Sequence, residues 1–219
     1  SFVLYPPLET VIAELRGYYT LQSKEVQNAI IHYQSDFGKE ITRTLQDIMN
    51  TQGKVLIEES YTTIGTGDFK TQIIKLKQQN VDTVFLDMLD MDIISFKKQA
   101  DTLGFKAKII TYTTFKDVMA STKDLGVYEG TTMINWEVAT KGFDEQYQKR
   151  FGKLPERGAV NSYKAVYVLA DAIANATDKT RVAEYIASHS IKTPLGIVSF
   201  NTKHAIDSTP IEIVEVKDG

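Results

Sequence analysis

The chain contains no cysteine, so disulfides, zinc thiolates and a cysteine nucleophile are excluded. Histidine is scarce: His32, His189 and His204 are scattered, and none neighbours a plausible nucleophile. Neither a G-x-S-x-G elbow nor a P-loop is present. The segment GTGDFK (65–70) has two glycines of a phosphate-cradling loop but lacks the third glycine and the Lys-Ser/Thr ending. Glu58 and Glu59 fall in a strand pattern, where neighbours point to opposite faces, so they do not form a carboxylate pair. No apolar run approaches the ~18 residues of a membrane span, and the opening SFVLYPP lacks the positively charged n-region of a signal peptide. Positive charge is not in surplus either. There are 25 basic against 28 acidic residues, for a net charge of −3. Lysine outnumbers arginine 20 to 5, which fits a solvated surface, and no basic stripe points to nucleic acid.

What is present is alternation. Residues 28–33 (NAIIHY), 55–61 (VLIEESY), 83–87 (TVFLD) and 108–112 (KIITY) read as strands. Helical patterns separate them. Ile41, Leu45, Ile48 and Met49 mark one helix, closed by Gly53. Ile73, Ile74 and Leu76 mark a second, which starts near Asp68 as its N-terminal cap. Ile93, Ile94, Phe96, Ala100 and Leu103 mark a third, stopped by Gly104. Strand–helix repetition of this kind predicts an α/β fold with a parallel sheet covered on both faces. Such sheets bind ligands at the carboxyl ends of their strands. Residues 115–119 follow the fourth strand, and 127–136 read as an extended segment.

Four further helices, at 8–20, 143–152, 158–176 and 180–189, are amphipathic and need a layer to cover them. Only two more strands follow, at 196–201 and 210–216. The four strands at 28–112 already have three helices between them. Residues 1–22 and 138–196 therefore read as pieces of a second lobe that lacks most of its sheet.

Several blocks carry a specific likeness: AIIHYQSDFGKE (29–40), ESYTTIGTGDFKTQIIKLKQQNVDTVFLD (59–87), FKKQADTLGFKAKIITY (96–112), FDEQYQKRFGKLPERGAVNSYKAVYVLADAI (143–173) and IEIVEVKDG (211–219). Their order and spacing resemble the type I periplasmic binding proteins of the branched-chain amino acid ABC transporter group, over nearly all of residues 24–219. The resemblance implies two α/β lobes joined by three crossing strands, with hinges near 1–6, 135–140 and 196–204 and the ligand held between the lobes. It also implies that one lobe is complete (24–134 plus 202–219) and the other partial (1–22 plus 138–201), the chain corresponding to the C-terminal two-thirds of such a protein, without about a hundred residues of the first lobe, itself a domain-sized piece.

The resemblance places ligand-contact candidates on the loops after the strands. Ser35 and Phe37 follow the first strand; Phe37 either contacts ligand or packs the start of the helix. Asp87, Leu89 and Asp90 follow the third. Asp87 and Asp90 either receive a cationic group or metal or serve as N-terminal carboxylates favoured by the helix dipole, and the second reading is preferred for Asp92. Tyr112 and Thr113 follow the fourth strand; Thr113 stands where amino-acid binders carry a glutamate, and a hydroxyl offers a hydrogen bond without charge. Trp136 either walls the cleft or packs a hinge. The function implied is an extracytoplasmic, non-enzymatic solute-binding protein that needs no cofactor or metal. It would take an amino acid or, next, an aromatic or other carboxylate, and deliver it to a transporter permease, reaching the membrane only through that partner or a lipid anchor. A sensor module of the same fold is the alternative, and an enzyme on a Rossmann-like or flavodoxin-like sheet the third reading.

Overall fold

Short runs dense in β-branched and aromatic residues become the strands, and amphipathic segments between them become helices that bury one stripe. The computed structural model describes residues 1–112, 125–136, 141–155, 158–207 and 210–217. In chain order the described elements begin with two short helices, α1 (Leu8–Ala13) and α2 (Leu15–Thr20). An alternating series follows: β1 (Asn28–Tyr33), α3 (Asp36–Thr51), β2 (Leu56–Tyr61), α4 (Lys70–Gln78), β3 (Thr83–Asp87), α5 (Asp90–Thr102), β4 (Lys108–Thr111) and β5 (Thr132–Asn135). The remainder comprises α6 (Lys141–Phe151), α7 (Ala159–Asn175), α8 (Val182–Ser188), the hairpin β6 (Ile191–Thr193) and β7 (Gly196–Val198), and β8 (Glu212–Glu215). No described helix is long and apolar enough to cross a membrane.

The chain divides into two compact units, residues 8–135 with 213–219 and residues 1–7 with 136–212. The first holds a six-stranded sheet in the order β2-β1-β3-β4-β5-β8. β1 pairs in parallel with both β2 and β3, and the run β3-β4-β5 is also parallel. The chain therefore steps from β1 outward to β2, then returns past β1 to β3. That reversal makes the carboxyl ends of β1 and β3 a topological switch point, where adjacent loops leave in opposite directions and open a crevice.

Period-2 alternation splits the strands between two layers. Ala29, Ile31, Val84, Leu86 and Ile109 meet Ile73, Leu76, Ile93, Phe96 and Ala100 of α4 and α5 in one core cluster. Ile30, Phe85 and Ile110 alternate with these and are also buried. α1 and α2 pack against α3, with Val11, Ile12, Leu15, Tyr19, Ile41, Leu45, Ile48 and Met49 buried. Each fully buried large apolar side chain of this kind contributes about 1.5–3 kcal/mol.

The other unit has a core of Val168, Ala172, Ile186, Ile191, Val198, Phe200 and Ile206. Its N-terminal segment is stitched in by main-chain bonds, Val3 N–H to His204 O and Ile206 N–H to Val3 O, each 2.9 Å. α7 is apolar on two opposite faces. Val160, Lys164, Val168 and Ala172 are buried, whereas Val166, Leu169 and Ile173 are 65%, 49% and 56% exposed.

The division differs from the expected lobe boundaries in two places. Residues 8–22 belong with the six-stranded sheet, because Gln52 Nε2 donates to Thr20 Oγ1 (3.0 Å) and Lys54 Nζ donates to the Tyr19 (2.6 Å) and Gln22 (3.1 Å) carbonyls, tying α2 to the end of α3. Residues 202–212 belong to the other unit, held by Val3 and by Ile206. The chain passes between units at 7/8, 135/136 and 212/213; the first two crossings fall at or within two residues of the expected hinges, and the third lies beyond the expected 196–204. Asp68 is displaced by one residue from the cap position: Phe69 is the cap and the Lys70 N–H donates to Asp68 at 3.2 Å. The segment expected to be extended from 127 is a 3-10 turn over Leu125–Tyr128 before β5 begins. The segment 115–119 lies outside the described residues.

Candidate functional site

The switch point is built from the last residues of β1 and β3 and the loops that follow. Ser35 caps α3: its backbone is extended and its Oγ accepts the Gly38 N–H at 3.0 Å. Asp36 occupies the first turn, where the helix dipole favours a carboxylate. Gly38 lies against the ends of both strands. A Cβ there would sit 2.8 Å from Asp87 Oδ2 and 2.9 Å from His32 Nδ1, and closer still to the Tyr33 carbonyl oxygen. Only glycine lets the first turn of α3 settle onto the sheet at this depth.

His32 and Asp87 are direct register partners on β1 and β3, each 3% exposed. His32 Nδ1 lies 3.0 Å from Tyr33 O and Nε2 lies 2.8 Å from Glu58 Oε1 on β2. Asp87 Oδ1 accepts the Tyr112 hydroxyl at 2.7 Å. Asp87 Oδ2 has no hydrogen-bond partner. Burial pushes the Asp87 carboxyl above its ordinary value, against the opposing pull of the Tyr112 hydroxyl, the His32 ring and the Tyr33 backbone. The Tyr112 ring is stacked near Phe85 (centroids 6.3 Å, 26° between planes) and meets Phe37 edge-on (6.3 Å, 75°). Phe37 is 48% exposed and Leu89 39%.

A second brace joins the loop after β2 to α5. Asp92 is 1% exposed, and its carboxylate accepts the N–H groups of Gly65 (2.8 Å) and Gly67 (3.4 Å). Gln99 accepts the Phe69 N–H (2.9 Å) and donates to Gly67 O (2.6 Å). The glycine N–H groups of GTGDFK are thus committed to an internal carboxylate, which removes them as a phosphate cradle. Asp92 lies in the first turn of α5, and what its oxygens bind is this loop. Burial first, then the charges of Asp92 and Asp87, push the Tyr61 hydroxyl well above its ordinary value.

The structure gathers Ser35, Phe37, Asp87 and Tyr112 into one contiguous set, with Leu89 on the neighbouring loop. Asp90 begins α5. Thr113 lies outside the described residues. Trp136 is the first residue of the other unit's main segment and is half-buried. In the sequence His32 stands out only as one of three scattered histidines, Gly38 only as part of the block 29–40, and Glu58 only as half of a rejected carboxylate pair. Their roles depend on which strands are neighbours. Glu58 and Glu59 do face opposite ways, toward His32 and toward Lys75 at 2.9 Å. Among the described residues no cluster of three His, Asp or Glu side chains is placed to hold a metal. The exposed part of the set offers ring and aliphatic surface with a hydroxyl nearby, which suits recognition of a small solute.

A sequence profile described as Periplasmic binding protein matches residues 17–219. Among curated relatives, the Leu/Ile/Val-binding protein homolog 4 of Brucella melitensis is 26% identical over 206 residues, covering 88% of this chain and 45% of that protein. The chain spans about half the length of the curated relatives it matches, 45% of the Brucella protein and 52% of the Citrobacter freundii Leu/Ile/Val-binding protein. Among solved structures, the ABC transporter substrate-binding protein of Desulfitobacterium hafniense in complex with Leu superposes with a TM-score of 0.75 at 19% identity, covering 100% of this chain and 65% of that one. A solute-binding protein of R. palustris in complex with benzoate superposes with a TM-score of 0.77 at 11% identity, covering 96% and 59%. At these identities the superpositions establish the type I periplasmic-binding-protein fold.

Proposed function

The chain belongs to the periplasmic binding protein family, and from that premise we propose that it is the ligand-binding part of an extracytoplasmic solute-binding protein serving an ABC transporter. The ligand is small and polar, an amino acid or a related carboxylate, and it is held between two lobes that close about the three crossings at 7/8, 135/136 and 212/213. The permease of the transporter reads the closed form. The protein works by binding alone, and a ligand drives closure only through its greater affinity for the closed state.

The observation that carries this reading is the switch point between β1 and β3, with half-exposed Phe37 and Leu89 on the two loops that leave it. On this reading Phe37 and Leu89 supply apolar contact and Ser35 a hydroxyl. Asp90, Thr113 and Trp136 are further candidates for ligand contact, and Tyr112 backs Phe37. The relatives complexed with Leu and with benzoate span both ligand classes considered.

A thermal-shift screen of the twenty amino acids and a set of small aromatic and aliphatic carboxylates tests the proposal. It should be run on the longest natural polypeptide containing these residues. At a concentration a hundredfold above Kd a true ligand adds about 2.7 kcal/mol, which for a chain of this size moves Tm by roughly 5–10 °C. A screen in which no solute moves Tm contradicts the proposal.

A further inference from the structure

We infer that Asp87 is a positioning residue for the ligand loop and not a ligand contact: through Tyr112 and the first turn of α3, it fixes the aromatic surface that Phe37 presents. The inference builds on the solute-binding reading of this site.

Two contacts converge on Phe37 from the same carboxylate. Oδ1 takes the Tyr112 hydroxyl at 2.7 Å, and the Tyr112 ring meets the Phe37 ring edge-on. Oδ2 lies against Gly38, the residue after Phe37, so closely that a Cβ at Gly38 would be 2.8 Å away. Asp87 thus touches one residue that packs on the Phe37 ring and one bonded to its backbone. Its own 3% exposure leaves almost no surface for a solute, whereas Phe37 is 48% exposed. The carboxylate is itself held on the far side by the strand register that sets it opposite His32, whose ring is fixed by Tyr33 O and Glu58. Glu58 and His32 form one bonded pair and Asp87 and Tyr112 another, set side by side beneath the loop by the register of β1 and β3, and buried Tyr112 abuts the Phe37 ring that is offered to solvent. A buried carboxylate is costly unless its oxygens are paired; here Oδ1 is paired with the Tyr112 hydroxyl, and Oδ2 lies against the turn carrying Ser35 and Phe37.

The test compares Asp87→Asn, Asp87→Ala, Tyr112→Phe and the Asp87→Ala/Tyr112→Phe double variant. Amide hydrogen exchange at residues 35–39 is measured without any solute, and affinities for L-leucine and for benzoate are measured by calorimetry. Asparagine keeps a polar partner for the Tyr112 hydroxyl, so Asp87→Asn leaves exchange and affinity within about threefold of the parent. Asp87→Ala and Tyr112→Phe each break the link and change both by about tenfold, the worth of one buried hydrogen bond. Because the two groups act as one link, the double variant is no worse than the more severe single variant within about twofold.

Equal loss of affinity in Asp87→Asn and Asp87→Ala, with exchange at 35–39 unchanged, would mean that the charge contacts the solute and overturns the inference. Unchanged exchange in both Asp87→Ala and Tyr112→Phe overturns it whatever the solutes do. Should Asp87→Ala not fold, faster exchange in Tyr112→Phe alongside parental exchange in Asp87→Asn supports positioning, and equal exchange in the two overturns it. If neither L-leucine nor benzoate binds the parent, that result counts against those ligand classes, and the exchange pattern alone decides the role of Asp87.

Discussion

Gly38→Ala sets local preference directly against packing. Gly38 lies in the first turn of α3 with an ordinary helical backbone, so exchanging glycine for alanine should by propensity alone stabilise the protein by about 0.5–1 kcal/mol. The structure predicts the opposite sign. The new methyl would lie 2.8 Å from Asp87 Oδ2 and 2.9 Å from His32 Nδ1, where an ordinary carbon–oxygen approach is about 3.3–3.6 Å. The contact with Tyr33 O is tighter again, and a strand carbonyl does not rotate away as a side chain does. Relief requires lifting the start of α3 off the sheet. Overpacking of this kind costs about 1–3 kcal/mol and occasionally more. With three obstructing atoms at once the upper part of that range applies, so after the propensity gain the net loss is about 2 kcal/mol. Urea titration should show a lower midpoint with an unchanged slope, and Tm should fall by roughly 4–8 °C for a chain of this size. A variant as stable as the parent, or more so, would refute the account of how α3 is seated and with it the geometry beneath Phe37.

Three further outcomes follow from other contacts. Asp92→Ala leaves the Gly65 and Gly67 N–H groups without their acceptor; a loss of about 2 kcal/mol is expected, with faster amide exchange confined to residues 62–69, and exchange unchanged there would contradict the brace. On α7, Leu169→Glu should change stability by less than about 0.5 kcal/mol, whereas Val168→Ala, one residue away on the buried face, should cost about 2 kcal/mol; equal effects in urea titrations would contradict the assigned faces. Burial raises the Asp87 carboxyl above its unfolded value of about 3.9, so between those two values the folded state binds the extra proton and stability falls as pH rises. Asp87→Asn removes this term, so its stability relative to the parent should improve as pH rises through that window and level off above it; a difference independent of pH from 3 to 8 would contradict the assignment.

The alternating architecture was legible because most strands are short apolar runs and the helices between carry an apolar stripe, two of the three closed by glycine. The unit boundaries were less so. α1 and α2 resemble helices of a separate lobe by pattern, and only their packing on α3 and the bonds from Gln52 to the Thr20 hydroxyl and from Lys54 to the Tyr19 carbonyl reveal which sheet they serve. β6 escaped notice because Ile191–Thr193 is three residues long and closes at once on β7 through a turn. At the site, Ser35 and Phe37 could be named because they follow a strand and open a helix, which is a local pattern. Asp87 could be located but not interpreted. Its role depends on lying opposite His32 and beside Tyr112, and strand register across β1, β3 and β4 is not written in any one segment. Asp92 illustrates the same limit: its place in the first turn of α5 was readable, and its bonds to Gly65 and Gly67, 27 and 25 residues earlier, were not.

Calorimetric titration of the longest natural polypeptide containing these residues, with each amino acid and with benzoate and related carboxylates, tests the central claim most directly. The account predicts saturable binding of at least one such solute with one site per chain, weakened when Phe37 is replaced by alanine. Absence of binding across the whole panel by a folded protein would contradict the assignment of this chain to solute capture.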